Sequence, residues 1–142
     1  MKVWPVLLDS TPEYLSATFG DSTLLTAPLG RELVVSALCR QLSEVTGDSP
    51  TIVAPPGASP AYRARMRTLA PGNVTIAGSA RELADVLGPA ETSDLLLFLD
   101  PRCLPFRGWN LTSLVAEAVE TGREPWAREL DAYGVEVVAL NR

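Results

Sequence analysis

The chain has 142 residues, 46% of them apolar and 20% charged, which is the make-up of one globular domain with a core and not of a disordered or fibrous chain. Its 17 acidic and 12 basic residues leave a formal charge of −5, which disfavours a general nucleic-acid or anionic-membrane binder. There is no histidine, so the usual general base, the histidine-containing triads and most zinc sites are excluded.

Lys2 to Leu8 (KVWPVLL) is the first strand candidate. The run is shorter than a signal-peptide core and too short to span a bilayer. Pro5 lacks an amide donor, which predicts a strand start or a local irregularity and argues against a central strand. Asp9 to Leu25 is rich in Ser, Thr, Pro, Gly and Asp and predicts a long loop, with a turn of helix at Pro12 to Ala17. Loops of that length in a compact domain are functional or mobile.

Arg31 to Val45 gives the clearest helical period. Val34, Val35, Leu38, Leu42 and Val45 fall on one side with Cys39 at the edge of the stripe, and Ser36, Arg40, Ser43 and Glu44 fall opposite. Gly47 is a C-terminal stop. Thr51 to Ala54 predicts the second strand. Ser59-Pro60 is an N-cap followed by proline at the first helical position, and its helix runs to about Leu69 with Tyr62, Met66 and Leu69 inward.

Asn73 to Ala77 predicts a third strand. Ser79 and Glu82 fit a capping box whose helix buries Leu83, Val86 and Leu87. The next stretch, Ser93 to Pro105 (SDLLLFLDPRCLP), organises the chain. Its five apolar residues, Leu95 to Leu99, have the pattern of a buried interior strand, and such a strand delivers the residue at its carboxyl end, Asp100, to a ligand crevice. Asn110 caps a helix that buries Leu111, Leu114, Val115 and Ala118. Pro125 to Tyr133 is another helix, and Val135 to Leu140 a last strand. Strands alternating with helices predict one α/β domain over residues 1–142: three layers, α/β/α, with a largely parallel, Rossmann-like sheet.

Cys39 and Cys103 stand far apart and make no disulfide framework, so a reducing, cytoplasmic setting is the expectation. Asn73-Val-Thr75 and Asn110-Leu-Thr112 match the glycosylation sequon and are taken as chance. Without histidine or a neighbouring cysteine, Cys103 has poor support as a reactive thiol.

Two segments carry a family resemblance. Ala27-Pro28-Leu29-Gly30-Arg31-Glu32-Leu33-Val34 looks like a helix-opening segment, and Leu97-Phe98-Leu99-Asp100 looks like a strand ending in a metal-binding acid. With the order of the strand units, they resemble the N-terminal half of the sugar-phosphate nucleotidyltransferases, a fold shared with GT-A glycosyltransferases. The resemblance implies that Gly30 and Arg31 contact an anionic ligand and that Asp100 helps bind a magnesium ion. Arg31 stands where the family usually has lysine, and Glu32 where it has proline. The family's Gly-rich phosphate loop is absent. Leu8-Asp9-Ser10-Thr11-Pro12-Glu13 takes its place, and Asp9 and Glu13 would repel phosphate.

The expectation is a degenerate relative covering the N-terminal half only. Its function would be that of a non-catalytic nucleotidyltransferase-like module that binds a protein partner or a small anionic ligand. The alternative is a cation-dependent nucleotidyl- or glycosyltransferase, with Asp100 on the metal, Arg31 on phosphate and Asp9 or Asp21 completing the site. Asp100 also has the simpler role of capping the turn before Pro101. Arg63 and Arg67, at i and i+4, and Trp109 form the candidate interaction surface, although a solvated face accounts for the arginines equally.

Overall fold

A computed structural model of the chain describes residues 2–9, 23–55, 57–91, 93–101, 116 and 135–139. The strands are β1 (Val3–Leu8), β2 (Pro28–Leu29), β3 (Glu32–Leu33), β4 (Thr51–Val53), β5 (Thr75–Ala77), β6 (Leu95–Leu99) and β7 (Val135–Ala139). Among the described residues the full helices are α1 (Val34–Thr46), α2 (Pro60–Leu69) and α3 (Ala80–Val86), and a 3-10 turn spans Leu24–Thr26. The main sheet has the order β5-β4-β1-β6-β7, parallel except for β7. This is the α/β, largely parallel, Rossmann-like architecture that the alternating pattern predicts. The expected turn of helix at Pro12 to Ala17, the two helices between Asn110 and Tyr133 apart from the helical Ala116, Asp21, Cys103 and Trp109 lie outside the described residues.

β6 is an interior strand, flanked by β1 and β7. Leu97 and Leu99 are fully buried, as an uninterrupted apolar run requires. β1 is the centre of the sheet, which corrects the expectation drawn from Pro5. The reason is the direction of the backbone groups. The Lys2 carbonyl accepts from Leu95 on the β6 side, and the Asp9 amide donates to Val53 on the β4 side. Backbone groups alternate sides along a strand, so odd-numbered residues, Pro5 among them, point toward β4. Pairing with β4 begins only at Val6, opposite Thr51. The missing amide of Pro5 therefore falls where there is no ladder to break.

Helix α1 starts at Val34, three residues later than its apolar period suggests. The residues before it form a two-residue hairpin, with Leu29 opposite Glu32 and Gly30-Arg31 at the turn. Gly30 has φ of 63° and no described non-glycine residue has positive φ, which is the glycine-first pattern of a type II′ hairpin turn. Arg31 thus sits in a turn and not in a helix's first turn. Glu32 pairs with Arg40 across the join of β3 and α1. The apolar face of α1 buries Val34, Val35, Ala37, Leu38, Cys39 and Leu42. Each fully buried Val or Leu contributes about 1.5–3 kcal/mol of transfer free energy.

The core lies between α1, α2 and one face of the sheet. Leu7, Ile52, Ile76, Leu97 and Leu99 meet Val35, Leu38, Leu42, Tyr62 and Met66 there. The crossovers through α1 and α2 both step from β1 toward β5. The crossover through α3 returns across the sheet to β6, so right-handedness places α3 on the opposite face. Leu83, Val86 and Leu87 are only half-buried, which corrects the expectation that this helix buries them. Among the described residues, no helix is long and apolar enough to cross a membrane.

Candidate functional site

A parallel sheet offers ligands the crevice outside its carboxyl edge, at the point where strand order reverses. Here the chain runs from β1 to β4 and β5 on one side, then returns to β6 on the other. The reversal lies between β1 and β6. Leu7 is in register with Leu99, so Asp9 and Asp100 follow the ends of two strands about 5 Å apart. The fold places the two acids that the sequence singles out at the same edge of the sheet, past the ends of adjacent strands. Asp9 is buried and Asp100 half-buried.

Asp9 is held by β4 on one side and by α2 on the other. Its amide donates to the Val53 carbonyl at 2.9 Å, and its Oδ2 accepts from the Tyr62 hydroxyl at 2.6 Å. Tyr62 sits on the buried face of α2, whose start is fixed by Ser59: the Ser59 hydroxyl accepts from the Tyr62 amide at 3.2 Å, and proline occupies the first helical position. Burial first, and then the charge and hydrogen bond of Asp9, push the Tyr62 phenol upward from its ordinary range. It is a hydrogen-bond donor at every physiological pH.

α1 runs back along β1, so its start and the β2–β3 hairpin lie at this same edge. Gly30 and Arg31 are both exposed there. α1 has no side-chain cap; its first amide, that of Val34, donates to the Ala27 carbonyl at 2.9 Å.

The end of β5 carries a second cluster. The Glu82 carboxylate accepts from the Gly78 amide at 2.6 Å and, through both oxygens, from the Arg63 guanidinium at 3.1 Å. The Ser79 hydroxyl accepts from the Glu82 amide at 3.2 Å. The capping box is therefore displaced by one residue, because Glu82 reaches back to Gly78 and not to Ser79. The Gly78 bond first, then Arg63, hold the Glu82 carboxyl below its ordinary range. Arg63 is engaged within the fold, whereas Arg31, Arg65 and Arg67 are exposed and form no ion pair with a described residue.

Sequence reasoning missed the partnerships of Tyr62 and Glu82 and the role of Asp94. Asp94 lies at the opposite edge, before β6, and its carboxylate accepts from the Lys2 amide, the Trp4 indole and the Glu91 amide. One signal for Tyr62 was available: a tyrosine on an inward helical position needs a partner for its hydroxyl. Cys39 is a buried free thiol, pushed up to about 12 by desolvation, and behaves as packing. Among the described residues, no three His, Cys, Asp or Glu side chains converge as a metal site. A magnesium ion at the crevice would have Asp9, Asp100 and the oxygens of a bound substrate as ligands, a set such ions accept. No protein-family model matches the chain, and no curated protein sequence matches it.

Proposed function

We propose that this chain is a nucleotidyltransferase-like domain that works by binding and not by turnover, its ligand being a protein partner or a small anionic molecule. The observation that carries this is the Tyr62–Asp9 pair. A polyphosphate cradle needs bare backbone amides after the first strand. In this chain that position holds a buried carboxylate tied to α2. Its negative charge opposes a phosphate chain, and burial strengthens the opposition. Exposed Arg31, Arg65 and Arg67 leave cationic surface for an acidic partner in an otherwise acidic protein.

A second function is favoured by one observation, the placement of Asp9 and Asp100 on adjacent strand ends where strand order reverses. Two carboxylates there suit a cation-dependent transferase acting on a nucleotide or sugar phosphate. A magnesium-dependent pyrophosphate-release assay over nucleotides and sugar phosphates, run beside Asp100→Asn, separates the two. The binding function expects no release from either protein. Release by the parent that the variant abolishes would establish the transferase instead.

A further inference from the structure

Among the described residues, α3 differs from α1 and α2 in what holds it. It has seven residues, none of them buried, and a helix of that length is not stable alone in water. Among the described residues, Leu83 and Val86 are half-buried and lie outside the core cluster. α1, by comparison, buries six side chains. The ties at the start of α3 are polar and centre on one residue: Glu82 joins the Gly78 amide at the end of β5 to the Arg63 guanidinium on α2. The guanidinium lies against Gly78 so closely that a Cβ at that position would stand 2.1 Å from Nη2. Residue 78 is thus a glycine where an arginine head covers the backbone.

We infer that α3 opens as a unit separately from the core, and that Glu82, seated on Gly78 and Arg63, is the latch that holds it closed. Segments with few buried contacts and polar ties at the surface open at lower free energy than the core. Opening uncovers two hydrogen-bond donors, the Gly78 amide and the Arg63 guanidinium, at the sheet edge that carries Asp9 and Asp100. The closed latch keeps both donors on Glu82. This opening is a property of the fold and does not depend on the proposed binding function.

The test is native-state hydrogen exchange on the whole chain, comparing the segment 80–88 with 34–46. In the parent, the α3 amides are expected to exchange at least about tenfold faster than those of α1 once corrected for intrinsic rates. Glu82→Gln, which keeps size and removes charge, is expected to accelerate exchange in 80–88 and leave 34–46 unchanged. Gly78→Ala, which pushes the guanidinium off its seat, is expected to do the same. Equal protection of α3 and α1 in the parent would overturn the separate opening. Exchange in 80–88 that neither variant changes, or a rise in both segments together, would overturn the latch.

Discussion

The Trp4 indole donates to the Asp94 carboxylate at 3.0 Å, joining residues 90 apart in sequence. The Lys2 and Glu91 amides donate to the same carboxylate at 2.8 and 2.9 Å, and the Lys2 ammonium lies 3.8 Å from the centre of the Trp4 ring. These contacts pin the amino ends of β1 and β6 to each other. The two acids that bracket the Leu95–Leu99 run thus have different work. Asp94 fastens the sheet at one edge, and Asp100 stands at the crevice on the other.

The clamp predicts an acid limb in stability. The three donors, led by the Trp4 indole, lower Asp94 to about 2 in the folded protein. A carboxyl depressed on folding stabilises fully above its unfolded value of roughly 3.9 and loses that contribution as pH falls through the folded value. Urea midpoints of the parent should therefore drop between roughly pH 4 and pH 2. In Asp94→Asn the amide nitrogen faces donors, so the melting temperature at neutral pH should fall by several degrees, and this part of the pH slope should flatten. An unchanged slope would assign the acid limb to other carboxylates.

Leu97 predicts the cost of damaging β6. It is fully buried in the middle of the strand, between β1 and β7, and belongs to the core cluster. Leu97→Ala should cost about 2–5 kcal/mol in denaturant unfolding, the range for a large-to-small change in a core. Leu97→Asp should leave no folded domain by circular dichroism, because it buries an unpaired charge.

The fold was legible where one physical term dominates. The β6 run and the α1 stripe are set by burial alone, and their periods show in the sequence. Ser59 and Ser79 announce caps because a hydroxyl before a helix has one strong use. The failures are local choices decided by neighbours. Pro5 sits in the central strand because its amide would point where β4 has not begun, which needs the register. Within Pro28–Leu33, Leu29 and Leu33 stand four apart, a spacing continuous with α1, and only the left-handed Gly30 turns the segment into a hairpin. The candidate site was half legible. Asp9 and Asp100 follow from strand ends, but Tyr62 and Asp9 are 53 residues apart, and Arg63 and Glu82 are 19 apart, so only the packing of α2 pairs them.

Gly47 gives a sharper test of a cap. It follows α1 with φ of 79°, in the left-handed region, and its amide donates to the Ser43 carbonyl at 2.8 Å. No atom stands within 4 Å of where a Cβ would be, so backbone conformation is the whole cost of a side chain there. Gly47→Ala should destabilise by about 1 kcal/mol with α1 otherwise intact. A neutral effect would mean that the helix end relaxes to another conformation.

Asp9 is the residue on which the two functions differ in sign. Tyr62→Phe removes the hydroxyl that donates to Asp9 and leaves a buried carboxylate one donor short, so it should cost about 1–3 kcal/mol. A double-mutant cycle with Asp9→Asn should return a coupling of about 0.5–3 kcal/mol, because the side chains are in direct contact. Ligand response then separates the functions. If the charge of Asp9 keeps polyphosphate away from the end of β1, Asp9→Asn should melt higher with magnesium and a nucleoside triphosphate than without, where the parent shows no such rise. If Asp9 and Asp100 hold a catalytic cation, the parent should show the rise and Asp9→Asn should lose it. A ligand that binds only the native state must raise the melting temperature, by RT ln(1 + [L]/Kd) in free energy. The sign of the difference between parent and variant, and not its size, decides whether the crevice repels phosphate or recruits it through a metal.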